Sequence, residues 1–92
     1  MTATIRHEPE SHRFVIDNPN GDAVIEYRER PGRVLDFTHT FVPVALRGGG
    51  IASELTEHAL RYAREQGYKI IPSCPFVATF VARHPEHRQL LA

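Results

Sequence analysis

The 92-residue chain is 41% hydrophobic and 24% charged, and eleven basic residues balance eleven acidic ones. This composition is typical of a globular domain rather than a fibrous or disordered chain, and the balanced charge gives no field that would attract nucleic acid or an anionic membrane. No apolar run approaches the ~20 residues of a membrane span, and a single cysteine excludes a disulfide within these residues. We therefore expect one domain over residues 1–92, cytoplasmic, a monomer or weak dimer, with no nucleic-acid or membrane partner.

Antiparallel strands separated by turns are predicted for the first half of the chain. A weak strand signal lies within residues 2–10, and stronger strand-like runs cover residues 12–16, 23–29 and 34–42. Clusters of Asp, Asn, Pro and Gly separate the three stronger runs and favour turns. Within the run 23–29, alternation places three apolar side chains on one face, namely Ala23, Ile25 and Tyr27.

A helix, a short strand and a second helix are predicted for the second half. Apolar residues recur at helical spacing over residues 51–66, and Gly67 fits a left-handed C-cap. The apolar run 68–74 follows as a strand, and a right-handed crossover would lay it parallel to the strand 34–42. Pro75 then begins a helix that ends near Arg83, and Leu90 and Leu91 are expected to pack back as a tail. The apolar stripe of this second helix is Phe76, Val77, Phe80 and Val81.

These elements predict a mixed α/β fold in which antiparallel N-terminal strands precede a β-α-β-α unit. Gly48, Gly49 and Gly50 lie at the turn from strand to helix, where a ligand can approach the backbone closely and the helix directs its free amides and positive dipole end at that ligand. A Walker loop is excluded because no lysine follows these glycines, Lys69 being the only lysine. The dinucleotide fingerprint is excluded because Ser53 stands where that motif needs a glycine.

The hexapeptide Arg47-Gly48-Gly49-Gly50-Ile51-Ala52 matches the Arg/Gln-x-x-Gly-x-Gly/Ala signature of the GCN5-related N-acetyltransferases (GNATs). Together with the segments His39-Thr40, Ile71-Pro72-Ser73-Cys74 and His84-Pro85-Glu86, it makes the chain resemble the small stand-alone branch of this family over about residues 5–91. The resemblance implies acetyl-CoA as cofactor, with the loop amides around its pyrophosphate. It also implies that the two parallel strands splay apart near Val42 and Ser73 and admit the pantetheine arm between them.

On this resemblance, the cofactor contacts come from the end of the strand, the glycine loop and the second helix. They are Phe41, Val42, Arg47, Gly48, Gly49, Gly50, Ile51, Ala52, Cys74, Phe76 and Arg83. A strand amide near Phe41 or Val42 would polarise the thioester carbonyl. Because the order of elements leaves out the extra N-terminal helices of larger GNATs, we expect an open site for an unidentified amine acceptor, such as a protein or peptide amine.

His39 is one candidate for the chemistry. Imidazole exchanges protons near neutral pH, which suits a general base, and the small GNAT branch carries a histidine at the matching place. Strict alternation along the strand, however, puts His39 on the same face as Leu35, Phe37 and Phe41. A hydrogen-bonded core histidine is therefore an equal alternative to a catalytic one.

Cys74 is the other candidate, because it ends the second parallel strand, where the resemblance places the thioester. It would act as a nucleophile that carries the acetyl group or as a proton donor beside the departing thiol, and a helix that begins at Pro75 would lower its pKa. A small buried hydrophobic residue is the plain alternative. Larger GNATs use a tyrosine on the last helix as proton donor, and Phe76 and Phe80 lack that hydroxyl.

The remaining histidines are predicted to be structural. His84 and His87 are three residues apart, but Pro85 interrupts a helical face and no third ligand follows nearby, so we expect a solvated surface rather than a metal site. His58 is expected to pack at the edge of the apolar stripe of the first helix. The sequence therefore predicts no metal.

Three functions are compatible with these residues. The leading hypothesis is an acetyl-CoA-dependent N-acetyltransferase that moves an acetyl group to an amine. The second is a module that binds or senses coenzyme A (CoA) or acyl-CoA with little catalysis. The third is an interaction domain in which the glycines only form a tight turn, and binding of CoA separates it from the first two.

Overall fold

The computed structural model describes residues 4–92 and contains one five-stranded sheet and two α-helices. The elements are β1 (Arg6–Glu8), β2 (Arg13–Ile16), β3 (Ala23–Arg30), β4 (Val34–Phe41), α1 (Ile51–Glu65), β5 (Lys69–Ile71) and α2 (Pro75–Arg83). Short 3₁₀ turns lie at Pro9–Ser11, Val44–Leu46 and Pro85–Leu90. This order confirms the predicted elements; within the weak signal at 2–10, β1 occupies the centre, and residues 2 and 3 lie outside the described range.

The strands follow one another in the sheet in the order β1-β2-β3-β4-β5. The first four pair antiparallel, whereas β5 pairs parallel with β4. Parallel neighbours need a long crossover, and α1 supplies it between β4 and β5. The mixed α/β fold predicted from the sequence is thus confirmed.

Both helices pack on one face of the sheet. Cross-strand partners on that face include Phe14 with Ile25 and Tyr27 with Phe37. They form one buried cluster with side chains of both helices, among them Leu55, Ala59, Leu60, Ala63, Val77, Phe80 and Val81. The face predicted for β3 is confirmed, because Ala23, Ile25 and Tyr27 are buried. Neither helix of the described chain covers the opposite face, which we call the helix-free face.

Phe76 departs from the predicted apolar stripe of α2. Val77, Phe80 and Val81 are buried as expected, but 38% of Phe76 is exposed. In the first turn of α2, Val77 is the residue that packs into the core, and Phe76 lies at the side of the buried stripe. Its ring lies instead beside the glycine turn, as described below.

A β-bulge in β4 changes which side chains share a face. Tyr27 pairs with Phe37, yet the adjacent Glu26 pairs with His39, so Thr38 is an extra residue in β4. Beyond the bulge the alternation is inverted, and Thr40 lies on the core face opposite Ile25. The prediction that His39 shares a face with Leu35, Phe37 and Phe41 is therefore wrong at Leu35 and Phe37, because strict alternation does not continue through Thr38.

The two parallel strands separate after a short paired stretch. Their last register pair is Asp36 with Ile71, and one further bond joins the Cys74 amide to the Phe37 carbonyl at 2.8 Å. Pro72 has no amide to continue the ladder, while β4 goes on to Phe41 paired with β3. The predicted splay is present, and it begins earlier on β5 than the predicted strand 68–74 implied.

The C-terminal residues return to the sheet as predicted. Leu90 is buried in the core, and Leu91 forms an isolated parallel bridge with Ile70 of β5. The Ala92 amide donates to the Ile70 carbonyl at 2.9 Å. This tail pairs with the edge of β5 that β4 leaves free, although 40% of the Leu91 side chain stays exposed.

Candidate active site

The glycine turn between β4 and α1 has a backbone that only glycine adopts without strain. Gly48 and Gly50 have φ angles of 86° and 81°, in the left-handed region. No atom lies within 4 Å of the position that a Cβ would occupy on either residue. These two glycines therefore allow the backbone to make the turn, and their missing side chains leave open space in front of it.

The amides of residues 48–53 have no hydrogen-bond acceptor among the described residues. The 3₁₀ turn ends with the Arg47 amide bonded to the Val44 carbonyl at 3.2 Å, and the next bond is from the Glu54 amide to the Gly50 carbonyl at 3.0 Å. No side chain caps the N-terminus of α1. Such a run of free amides at the positive end of a helix dipole is a ready-made site for an anion.

A cleft of about 220 Å³ opens in front of these amides. Its walls bring together most of the predicted cofactor contacts: Val42, Arg47, Gly48, Gly50, Ile51, Ala52 and Phe76. Leu46 and Ser53 also line it, and sequence reasoning missed both. Phe41, Gly49, Cys74 and Arg83, which were also predicted to contact the cofactor, do not line this cleft.

Arg47 links the two walls of the cleft. Its Nε donates to the Val42 carbonyl at 2.9 Å, so the side chain spans from the glycine turn to the end of β4. The guanidinium is exposed and keeps further N–H donors beside the free amides. Arg47 can therefore order the turn and add positive charge to it at once.

A second concavity, of about 410 Å³, lies at the other end of α1 between Arg64 and Lys69. Both cations already donate to backbone carbonyls there: Arg64 to Glu86 at 3.2 Å and Lys69 to Gln89 at 2.6 Å. The smaller cleft at the glycine turn has free donors instead. We therefore assign the candidate site to the glycine turn.

Cys74 lies at the start of α2 beside β4 and is buried, with 6% of its surface exposed. Its Sγ lies 3.5 Å from the Thr40 Oγ1. Burial raises the pKa of the thiol, but the Thr40 hydroxyl and the amides of Val77, Phe76 and Thr40 outweigh burial and lower the pKa below its ordinary value. This direction agrees with the effect expected from the helix that begins at Pro75.

Three other predicted site residues lie elsewhere: His39 is away from the Cys74 thiol, and Phe41 and Arg83 do not line the cleft. His39 is exposed and lies on the helix-free face opposite Glu26, whereas Cys74 contacts Thr40 on the core face. Phe41 pairs with Val24 and is 45% exposed. Arg83 is in the last turn of α2, roughly 12 Å along the helix from Pro75. The structure thus does not bring His39 and Cys74 together as one catalytic pair.

A buried carboxylate marks the point where the parallel strands part. Asp36 is 6% exposed on the helix-free side of β4. Ser73 Oγ donates to its Oδ1 at 2.5 Å, and Arg30 reaches its Oδ2 at 3.4 Å. No local pattern in the sequence predicts this contact, because the partners come from three different strands or strand ends. It ties β5 to β4 at the base of the splay.

His87 corrects a sequence prediction, because it is buried rather than solvated, with 1% of its surface exposed. Its Nε2 lies 2.9 Å from a Glu57 carboxylate oxygen, and its Nδ1 lies 3.2 Å from an Arg64 nitrogen. Since Arg64 donates to Nδ1, Nε2 carries the proton that bonds Glu57. His58 packs edge-on against Phe14 as predicted. No group of metal-binding side chains is found among residues 4–92.

The splayed strand pair, the glycine turn and the helix that follows are together typical of an acetyltransferase-like α/β domain. A family model described as GCN5-related N-acetyl-transferase matches residues 13–90. The chain therefore belongs to the GCN5-related N-acetyltransferase family, and the resemblance drawn from its motifs is confirmed. Its family supports an acetyl-transfer function.

Individual relatives agree with this assignment. The chain is 30% identical to Protein NATD1 of Gallus gallus over 83 residues, which cover 88% of this chain and 76% of that protein. Protein NATD1 of Danio rerio is 30% identical over 89 residues, which cover 95% of this chain and 80% of that protein. Matches of this extent must include the glycine turn and α1.

A solved structure shares the fold. The NMR solution structure of a GCN5-like protein from Staphylococcus aureus, whose own assignment as an N-acetyltransferase is provisional, matches with a TM-score of 0.78 and 27% sequence identity. The match covers 98% of this chain and 88% of that one. In the described part of the present chain, no helix is long and apolar enough to cross a bilayer.

Proposed function

We propose that this chain is an acetyl-CoA-dependent N-acetyltransferase, in which the amides of residues 48–53 bind the pyrophosphate of CoA. The observation that carries the proposal is that these amides are free and consecutive, and that five of the six residues line a cleft at the N-terminus of α1. A diphosphate supplies the negative charge and the acceptor oxygens that such a site lacks. Membership of the acetyltransferase family makes CoA the fitting diphosphate ligand.

The residues present fit this ligand in shape as well as in charge. The cleft of about 220 Å³ is smaller than the ~300–1,000 Å³ of sites that enclose a whole ligand, so it suits one section of an extended molecule. Val42 and the exposed ring of Phe76 offer apolar surface on the side toward the splay. We propose that Phe76 contacts the pantetheine arm and that Arg47 holds the turn closed around the phosphates.

Acetyl-CoA supplies the acetyl group as a thioester. The chain must polarise the carbonyl, and Val42 is the better of the two predicted donors: Phe41 pairs with Val24 of β3, whereas Val42 follows the last residue of β4 and lines the cleft. As the new C–N bond forms and the C–S bond breaks, the CoA sulfur needs a proton and the amine must lose one. The remaining candidates for these transfers are Cys74 and His39.

Cys74 lies at the parting of β4 and β5, where we place the thioester. It would act in one of two ways: its thiolate attacks the acetyl carbon and later passes the group to the amine, or its thiol protonates the leaving CoA sulfur. The lowered pKa of the thiol favours the first way, because the thiolate is the nucleophilic form. The two ways differ in whether an acetyl group is ever bonded to Cys74.

His39 is proposed as the base that deprotonates the acceptor from the helix-free face. It is exposed at the bulge, where β4 has already parted from β5. No helix of the described chain covers this face, which leaves room for an amine on a protein or peptide. The acceptor and the cofactor would then approach β4 from opposite sides.

The proposed function is tested by titrating the protein with CoA and then incubating it with acetyl-CoA and a panel of amines while free thiol is measured. We expect saturable CoA binding and acceptor-dependent thiol release. An absence of both would overturn the proposal and favour an interaction domain whose glycines only form a turn. The panel should include lysine peptides, free N-terminal peptides and small polyamines.

The role of Cys74 is tested by intact-mass spectrometry after exposure to acetyl-CoA. The nucleophilic role predicts one added acetyl group that Cys74→Ala abolishes while CoA binding persists. If acetyl appears only on Lys69 or the N-terminus, the covalent role is wrong. For His39, the acidic limb of the pH–rate profile should vanish in His39→Gln, and an unchanged limb would remove the base role.

One observation favours a second function, a module that binds or senses CoA or acyl-CoA with little catalysis. The aromatic residues of α2 are Phe76 and Phe80, so the tyrosine hydroxyl with which larger GNATs protonate the thiolate is missing. This module would gain stability from CoA, by about 2.7 kcal/mol at a hundredfold excess over Kd, without turnover. Robust acetylation of any amine in the panel would exclude it.

A further inference from the structure

The bulge at Thr38 gives Thr40 a position that the sequence did not predict. Without the extra residue, Thr40 would lie on the helix-free face, but the inverted alternation turns it toward the core. There its Oγ1 lies 3.5 Å from the Cys74 Sγ. A hydrogen bond of 2.8 Å from the Cys74 amide to the Phe37 carbonyl holds Cys74 against β4, and so keeps its side chain beside that of Thr40.

The same bulge separates His39 from the thiol. His39 pairs with Glu26 on the helix-free face, whereas Thr40 pairs with Ile25 on the core face. A histidine on the other side of the strand cannot accept the thiol proton directly. The hydroxyl nearest to the sulfur therefore belongs to Thr40.

We propose that Thr40, and not His39, is the positioning residue of Cys74, and that its hydroxyl holds the sulfur as a reactive thiolate at the N-terminus of α2. In the neutral form the thiol donates its proton to Thr40 Oγ1. In the ionised form the hydroxyl rotates and donates to the sulfur, and such a bond to a charged group is stronger than one between neutral groups. The significance for acetyl transfer rests on the proposed function, but the state of the thiol does not.

Charged side chains on the surrounding elements do not explain the lowered pKa of the thiol. On β4, Asp36 and His39 face the helix-free side, and on α2 Arg83 stands in the last turn. On α1, Glu54 and Glu57 line a groove with Ile5 and His58. What acts on the sulfur is hydrogen bonding from Thr40 and from the first amides of α2, against the cost of burial.

The test is the pH dependence of the rate at which iodoacetamide alkylates the native protein. The Cys74 thiolate displaces iodide, and because the chain has a single cysteine the reaction reports on Cys74 alone. In Thr40→Val we expect the midpoint of the profile to rise by about one pH unit and the rate below it to fall roughly tenfold, as the loss of one hydrogen bond to a charged group requires. Thr40→Ser, which keeps the hydroxyl, should retain the wild-type profile.

Two control variants share the strand: Thr38→Val removes a hydroxyl at the bulge itself, and His39→Gln removes the imidazole. Neither should shift the midpoint. A wild-type profile in Thr40→Val, or an equal shift in His39→Gln, would overturn the proposal. Circular dichroism checks that each variant is folded; if Thr40→Val is not, Thr40→Ala takes its place and the same outcomes apply.

The experiment needs no CoA, so its result is independent of the proposed function. If CoA fails to bind and the profile still shifts in Thr40→Val, the thiol assignment stands and the acetyltransferase assignment falls. If CoA binds and the profile does not shift in Thr40→Val, the role assigned to Thr40 is wrong and the acetyltransferase assignment is unaffected. A CoA titration of Thr40→Val completes the pair, and unchanged affinity is expected because Thr40 does not line the cleft.

Discussion

The two ends of α1 differ in how their backbone and polar groups are bonded. At the N-terminus, the amides of residues 48–53 have no acceptor in the described chain, no side chain caps the helix, and the residues around it are exposed. At the C-terminus, Tyr68 donates to the Ala63 carbonyl at 2.8 Å, and Arg33 donates to the Gln66 carbonyl. The buried ring of His87 also joins Arg64, near this end, to Glu57 in the middle of the helix.

The difference indicates that the N-terminus of α1 is suited to binding a ligand and that its C-terminus is suited to stabilising the fold. A helix end left without partners costs stability unless water or a ligand satisfies it, so free amides are expected where a ligand binds. A helix end whose carbonyls and side chains have protein partners can anchor neighbouring segments, here the 3₁₀ turn Pro85–Leu90, through Arg64 and the Glu86 carbonyl. Variants at the C-terminal end should therefore change folding, and variants at the N-terminal end should change ligand binding.

The largest effect is expected from His87→Ala. It empties a buried site and leaves Glu57 and Arg64 without their shared partner, so unfolding in urea should show a loss of about 2–3 kcal/mol. CoA affinity should stay at the wild-type value, because neither His87 nor its partners Glu57 and Arg64 line the cleft. Arg88→Ala, an exposed neighbour, is the matched control and should change stability little. A large loss of CoA affinity in folded His87→Ala would contradict the separation of a ligand-binding N-terminus of α1 from a stabilising C-terminus.

The next effect separates backbone strain from binding. Gly50 and Gly32 have nearly the same φ, 81° and 82°, and neither has an atom within 4 Å of a Cβ position. Each Gly→Ala change should cost about 1–2 kcal/mol of backbone strain. Only Gly50→Ala distorts the amide run, so calorimetric titration should show CoA affinity reduced by roughly 5- to 30-fold there and unchanged in Gly32→Ala. Equal affinities in the two variants would mean that the turn is not the binding site.

A smaller change in affinity is expected from Phe76→Ala. The exposed ring lines the cleft, and losing its apolar contact with the ligand should weaken CoA binding by roughly tenfold, or about 1.4 kcal/mol. Stability should change less than in a core variant. Val44→Ala is the control, because Val44 is 75% exposed and does not line the cleft. If both variants weaken binding equally, Phe76 has no specific contact.

The smallest effect concerns pH. Burial raises the pKa of Glu57, but its hydrogen bond from His87 and electrostatic attraction to the neighbouring His87, Arg61 and His84 side chains outweigh burial and lower the pKa. A carboxyl whose folded pKa is depressed stabilises the fold above its unfolded pKa and loses that contribution as pH falls through the folded value. The free energy of unfolding of the wild type should thus exceed that of Glu57→Gln by about 0.5–1 kcal/mol at neutral pH, a value reduced by solvent screening of the partly exposed carboxylate. This difference, measured by urea unfolding, should disappear in acid. A difference in unfolding free energy that grows in acid would contradict the lowered pKa of Glu57.

The sequence was sufficient for features that depend on neighbours along the chain. Periodicity placed α1 and α2, alternation gave the buried face of β3, and the glycines marked the turn at the candidate site, whereas most of the residues that line the cleft were expected from the resemblance to the GNAT family. Each of these patterns is local, so three-dimensional contacts were not needed to recognise it. The parallel pairing of β5 followed from chain connectivity.

The features that were missed depend on contacts between distant segments. The bulge at Thr38 is a mismatch in register between β3 and β4, and no single strand carries a signal for it. Glu57 pairs with Arg61 at 3.5 Å, as their spacing of four residues on a helix allows, but the second partner of Glu57 is His87, thirty residues away in the chain. The exposure of Phe76 likewise depends on where α2 meets the sheet.

The most direct test of the account is an amide NMR titration of the native protein with CoA. We expect the amide signals of residues 48–53 to shift most, with Phe76 next, while those around Arg64 and Lys69 at the other end of α1 stay in place. The same titration with pantetheine, which lacks the diphosphate of CoA together with its 3′-phosphoadenosine, should spare the amides of the turn. Shifts centred on the concavity between Arg64 and Lys69, or none at the turn, would contradict the claim that the free amides of α1 bind the pyrophosphate.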